Sequence, residues 1–266
     1  MCLMAGSIFF GCKWITWRRA RDPRLNPNCF RSLGYFLAWP GMDAVAFLNP
    51  ASRLSSSSNS LAGHYGAWSA GVAKTVAGTV LLWIAAHGAF SSIPLLRGWL
   101  AMIGLVLILH FGLFHLLSLA WQKLGVKALP IMRAPLRATS LAEFWNARWN
   151  TAFSNLAHQF AFRPLARRLG PTHALVVVFL ISGLLHEAVI SLPARGGFGL
   201  PTAYFFLQGL GILAERNAWG KRLGLGQGAR GWFFVLLCAG APAFWLFHPP
   251  FVRNVILPML QVISTN

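Results

Sequence analysis

Residues 98–121 read GWLAMIGLVLILHFGLFHLLSLAW, from Gly98 to Trp121, and this stretch decides what kind of fold the chain can have. It contains two histidines, His110 and His115, and no Lys, Arg, Asp or Glu. A bilayer core roughly 30 Å thick is crossed by a helix of about 20 apolar residues, because each residue rises 1.5 Å. Comparable runs lie on either side. Gly71 to Ile93 precedes it, and Pro171 to Leu192, Leu200 to Ala214 and Gly231 to Phe247 follow, with a last short apolar segment at Phe251 to Ile263. Gly170-Pro171 marks a boundary, since glycine stops a helix and proline suits the first position of the next.

Composition agrees with this reading. Of 266 residues, 56% are hydrophobic and 11% charged, whereas a soluble domain carries about 25% charged residues to coat its surface. An ordinary soluble enzyme, a disordered tail and a collagen-like rod are therefore excluded. The fold class expected is all-α: a polytopic integral membrane protein with about 6–8 transmembrane or re-entrant helices.

Lys and Arg total 23 against 5 Asp and Glu, a net charge of +18. The basic residues fall between the apolar runs, with eight in 122–170 and four in 216–230, while Arg97 and Arg195 stand alone in the intervening loops. That alternation follows the positive-inside rule and puts 122–170 and 216–230 in the cytosol. No nucleic-acid partner is expected. Anionic lipid headgroups or an anionic co-substrate from the cytosol suit the charge better.

The amino end (residues 1–34) reads as an apolar segment with a basic juxtamembrane region. Met1 to Trp17 is a short span with Lys13 snorkelling to the interface, and no basic residues precede its apolar stretch as in a cleavable signal. Tyr35 to Leu48 is broken by Pro40, Gly41 and Asp43, which favours an interfacial or re-entrant segment, and Asn49 to Ser60 is a polar linker. Cys2, Cys12, Cys29 and Cys238 show no CxxC spacing, so neither a metal site nor a disulfide framework is indicated. The loop with Gly224, Gly226 and Gly228 lacks the strand and lysine of a phosphate loop, and there is no GxSxG to support a serine hydrolase.

Two motifs carry the chemistry. Ser140-Leu-Ala-Glu143 is a capping box that starts a helix expected over Phe144 to about Ala161. On that helix Trp145, Trp149, Ala152 and Leu156 form one stripe, with Asn146 and Asn150 as i,i+4 neighbours beside it. Without further context this is an amphipathic helix anchored in the interface by its tryptophans. The second motif is Ser182-Gly-Leu-Leu-His186-Glu187, inside the span 171–192. Ionisable residues are rare in membrane helices and face cavities or polar partners there. His186 lies roughly 22 Å past the cytosolic end of its span. It is either a general base, acting as neutral imidazole, or a buried histidine bonded to a backbone carbonyl or to Ser182. Glu187 is about 100° further round the helix and is expected to pair with a basic residue of a neighbouring helix or to stay protonated. His110 and His115 are five apart, which splits them between faces and argues against a metal pair.

Phe144-Trp-Asn-Ala-Arg-Trp-Asn150, followed by Ser182-Gly-Leu-Leu-His186-Glu187, resembles the wax synthase branch of the membrane-bound O-acyltransferase family, with its FWxRRWN and SGLxHE elements in the same order. Asn-Ala replaces x-Arg in the first. Tyr35-Phe-Leu-Ala-Trp-Pro-Gly-Met-Asp43 also resembles a segment near the start of bacterial members. The likeness covers about residues 35–250, taken as the acyltransferase domain, with 251–266 a C-terminal apolar segment. It implies helices around a buried reaction chamber, in a bacterial inner membrane or an equivalent. It implies transfer of a fatty acyl group from acyl-CoA, the co-substrate, to the hydroxyl of a lipophilic alcohol, with no other cofactor. His186 would be the catalytic base, and Asn150 would either donate to the oxyanion or orient the base. Trp145, Trp149, Arg148, Ser182 and Glu187 would contact substrate, and Arg148, Arg163, Arg167 and Arg168 would receive the polyanionic CoA headgroup. The competing readings are a transporter or channel with an intramembrane His/Glu site, and a lipid-binding scaffold without turnover.

Overall fold

A computed structural model describes residues 2–20, 29–49, 61–88 and 90–264. All regular structure among the described residues is helical, with no strand. Four helices are long and apolar enough to cross a membrane: Tyr65–Ala86, Pro94–Lys123, Thr151–Ala194 and Gly228–Leu246. Leu200–Arg216, with 17 residues, is only slightly shorter. Thr151–Ala194 is two helices in series. Gly170 adopts φ 78°, ψ 161°, a left-handed conformation that costs glycine little, and Pro171 restarts the helix where the Gly-Pro signal placed a boundary. The run 71–93 ends earlier than expected. The helix stops at Ala86, Gly88 and Phe90 turn the chain with φ of 89° and 59°, and Pro94 opens the next helix. Ile93 is excluded because a residue before proline is pushed out of the helical region.

The chain packs as two compact units. One comprises residues 6–89 and 99–132. Its core gathers Tyr35, Trp39, Phe47, Leu48 and Trp121, all buried. The segment from Tyr35 to Leu48 is broken as expected. The helix Cys29–Leu37 ends, the chain bends through Pro40-Gly41, and a short helix Ala44–Leu48 begins under an Asp43 cap. Lys13 corrects an expectation. It does not snorkel but is fully buried, its Nζ donating to the carbonyls of Tyr35 at 2.8 Å and Gly41 at 2.6 Å. The nitrogen also lies 3.6 Å from the Tyr35 ring centroid. A helix end and a bend leave carbonyls without partners, and the Lys13 nitrogen, a multiple donor held over an aromatic face, satisfies them at depth. Residues 50–60, most of the expected linker, lie outside the described residues.

The other unit comprises residues 1–5, 90–98 and 133–266. Its framework is an antiparallel pair, Arg163–His186 against Leu200–Arg216, joined through a turn in which Arg195, Gly197 and Gly199 take positive φ. Gly183 of the SGLLHE motif sets the crossing. A Cβ there would lie 2.7 Å from Thr202 Cα, so only glycine lets the two backbones approach this closely.

With only five acidic residues, the use of each is informative. Each of the four described ones accepts backbone N–H groups at or beside a helix start. Asp43 accepts from Ala46, Glu143 from Thr139, Glu187 from Gly199 and Thr202, and Glu215 from Leu141 and Ala142. A helix start exposes unpaired N–H groups and a positive dipole end, so a carboxylate is its natural partner in an apolar protein.

Candidate active site

The first motif is held from three sides. Ser140 Oγ accepts from Glu143 N at 3.0 Å, as the capping box requires. Glu215, from the end of the Leu200–Arg216 helix, accepts from Leu141 N at 2.8 Å and Ala142 N at 2.9 Å. Arg148 Nε donates to Glu143 Oε1 at 2.7 Å, and its Nη1 reaches the carbonyls of Arg133 and Ala134 at 3.3 and 3.2 Å. Arg133 N in turn donates to Arg148 O at 2.8 Å.

These ties overturn the single helix expected over 144–161. Phe144–Arg148 forms one π-helical turn, Trp149 is extended, and Asn150 sits in the left-handed region at φ 42°, ψ 58° before the helix Thr151–Ala157 starts. Asparagine tolerates that region better than most residues. Trp145 and Trp149 therefore do not share a helical stripe, and Asn146 and Asn150 are not i,i+4 neighbours. Trp149 stacks on Phe144 at 5.7 Å and 13°. Arg148 is engaged by the loop that carries it, through Glu143 and the carbonyls of Arg133 and Ala134.

Glu143 has a readable pH consequence. Burial raises its pKa, but the Thr139 N–H and the Arg148 guanidinium outweigh that and hold the carboxyl below its ordinary 4.5. A depressed pKa contributes stability that is complete above the unfolded value and is lost as pH falls through the folded one. The pair is about a third exposed, so the effect is at most about 1 kcal/mol. Thermal melts of wild type between pH 6 and 3 are expected to fall more steeply than those of Glu143→Gln. Parallel curves would contradict this.

Trp145 packs against the helix pair that carries and faces the second motif. Its ring lies 6.0 Å from Phe179, 6.5 Å from Tyr204 and 5.6 Å from Phe205. Phe205 packs in turn on His186, with ring centroids 4.3 Å apart. His186 Nδ1 lies 2.7 Å from the carbonyl oxygen of Ser182, one turn earlier. A carbonyl only accepts, so Nδ1 carries hydrogen and a neutral ring presents its lone pair at Nε2. Ser182 thus serves through its backbone. The two motifs meet through Trp145 and Phe205.

Among the described residues Glu187 forms no ion pair with a Lys or Arg, one of the two roles expected of it. Its Oε1 accepts from Gly199 N at 2.9 Å, Thr202 N at 3.1 Å and Thr202 Oγ1 at 3.0 Å, which caps the Leu200–Arg216 helix. An open apolar groove of about 550 Å³, lined by Leu180, Leu184, Glu187, Phe198, Thr202 and Phe206 among others, lies beside it. His186 and Asn150 are not in its lining.

Three residues of this site were missed in the sequence: Phe205, Gln208 and Glu215. Gln208 and Glu215 are polar residues in an apolar run and at its end, which was the available signal. One buried Ser–His contact is not a hydrolase site. His248 Nδ1 accepts from Phe251 N at 3.2 Å, so a neutral ring has its proton on Nε2, 3.1 Å from Ser191 Oγ, and cannot take a proton from that serine. No cluster of three metal-ligating side chains occurs among the described residues.

Comparison with known proteins agrees with the motifs. Residues 128–208, which contain both, match the membrane bound O-acyl transferase family. This segment belongs to that family. Over 147 residues the chain is 29% identical to a probable long-chain-alcohol O-fatty-acyltransferase 7 of Arabidopsis thaliana, covering 49% of this chain and 42% of that protein. Over 151 residues it is 29% identical to the long-chain-alcohol O-fatty-acyltransferase of Simmondsia chinensis, covering 51% and 42%. An acyl-CoA–sterol O-acyltransferase 1 of Arabidopsis thaliana matches at 27% over 143 residues, covering 48% and 40%. The match thus spans about two fifths of each relative's length, on the wax synthase-like side of the family. These relatives are plant proteins and give the expected bacterial inner membrane no support. The family and the apolar helices make this an integral membrane protein.

Proposed function

We propose that the protein is a membrane O-acyltransferase that moves a fatty acyl group from acyl-CoA to the hydroxyl of a lipophilic alcohol, with His186 as general base. The observation that carries this reading is the meeting of the two motifs, in which Trp145 of the first and His186 of the second pack on the same ring, Phe205. The names of the relatives favour a long-chain alcohol over a sterol as acceptor, since the long-chain-alcohol enzymes match at slightly higher identity.

In this mechanism the Ser182 carbonyl holds Nδ1–H, and His186 Nε2 takes the alcohol proton as the oxygen attacks the thioester carbonyl. The carbon–sulfur bond breaks, CoA leaves as thiolate, and the imidazolium returns the proton to it. The Asn150 amide acts on the developing oxyanion or orients the base. The apolar surroundings keep out water, which would hydrolyse the thioester. Arg163, Arg167 and Arg168, exposed on the segment before Gly170, attract the CoA headgroup.

Membranes carrying the protein are expected to release CoA from palmitoyl-CoA when hexadecanol is added, with the ester detected by mass spectrometry. Absence of both CoA release and ester across fatty alcohol, diacylglycerol and sterol acceptors would overturn the proposal.

A further inference from the structure

Gln208 is fully buried in the Leu200–Arg216 helix. Its Nε2 donates to Cys238 O at 2.7 Å and more weakly to Tyr204 O at 3.4 Å. Two carbonyls accept and cannot donate, so the amide has one workable orientation, and its Oε1 is left facing the indole N–H of Trp145 at 3.3 Å. Tyr204 O–H reinforces the arrangement by donating to Ala239 O at 3.0 Å. The carbonyls at 238 and 239 lie in the π-helical turn Leu236–Gly240. A π turn leaves backbone carbonyls to be satisfied from outside, and such turns concentrate at functional sites. A buried amide is retained in an apolar helix only when its groups are paired, and here the pairing determines where a large ring stands.

We infer that Gln208 is a positioning residue. It ties the Leu236–Gly240 turn to Trp145, fixes the tilt of the indole against Phe205, and through Phe205 sets the face that His186 presents. The chain of contacts runs from Cys238 O to Gln208, Trp145, Phe205 and His186, and each step is direct. Gln208 acts through Trp145 and does not itself touch the reacting atoms. The kinetic part of this inference rests on the acyltransferase reading above, and the geometric part does not.

Two readouts test it. The first is the indole ¹H–¹⁵N resonance of Trp145 in the full chain in detergent, identified by its loss in Trp145→Phe. Gln208→Leu, which removes the acceptor, is expected to move that resonance. Gln208→His, which keeps one ring nitrogen as donor and one as acceptor, is expected to restore it toward wild type and to cover the case in which the leucine variant fails to fold. The second is kinetic. Gln208→Leu is expected to lower kcat about tenfold with both KM values within about twofold, and to lower it less than twofold further in a Trp145→Phe background. An unmoved Trp145 resonance, or an equal kcat loss in both backgrounds, would overturn the inference. A wild-type protein that turns over no acceptor would instead overturn the proposed function, and the resonance would still decide the role of Gln208.

Discussion

His186→Ala is expected to lower CoA release by roughly 10²–10⁴-fold, the usual contribution of a positioned general base, while the protein still inserts and purifies. The separation of the two effects follows from geometry. The ring is half-buried, and its hydrogen bond, to a carbonyl of its own helix at 2.7 Å, is worth about 1 kcal/mol net. The packing lost includes the ring contact with Phe205. The scaffold therefore tolerates the change, but no other group supplies the Nε2 lone pair. Among the described carboxylates, Glu143 and Glu215 and the Oε1 of Glu187 accept N–H groups at helix starts. The check is CoA release and ester formation per mole of folded protein, with elution profile and thermal midpoint as the folding control. A variant that folds and keeps wild-type turnover would remove His186 from the mechanism.

Glu215→Ala is expected to produce the largest loss of stability. Glu215 is only 6% exposed, and both its oxygens accept backbone N–H groups, from Leu141 and Ala142. Truncation strands the buried Leu141 N–H, at about 1–3 kcal/mol for a buried unsatisfied group, and leaves the half-buried Ala142 N–H to solvent. A midpoint lowered by about 5–10 °C is the corresponding shift. The damage is directed, because those donors start the segment that carries Trp145 and Asn150, so activity is expected to fall at temperatures where the rest of the protein remains folded. Glu215→Gln keeps one acceptor oxygen and is expected to lie between alanine and wild type. Thermal scans with activity measured after each step test the order, and an alanine variant with an unchanged midpoint would contradict it.

Local signals made much of this molecule legible in its sequence. Apolar length marked the runs that became the four long helices, because a span is a property of consecutive residues. Gly170-Pro171 marked the break inside Thr151–Ala194 because both residues act through their own dihedrals. Ser140 and Glu143 marked a helix start because a cap reaches only three residues. The two motifs, in order, pointed to the family that residues 128–208 match.

What the sequence could not decide was the partner of each polar group. Helical periodicity carried Trp145 and Trp149 onto one face, and the structure breaks that helix because Arg148 is bound to Glu143 and to the carbonyls of Arg133 and Ala134. Lys13 was placed at the interface by a rule about side-chain length, and it is buried because the Tyr35 and Gly41 carbonyls meet it there. Glu187 and Glu215 cap helix starts 12 and 74 residues away, and Gln208 reaches Trp145 across 63. Burial of apolar runs depends on composition and can be read along the chain. Satisfying a buried charge or amide depends on which distant donor or acceptor the packed helices bring within 3 Å or so, and only the tertiary structure decides that.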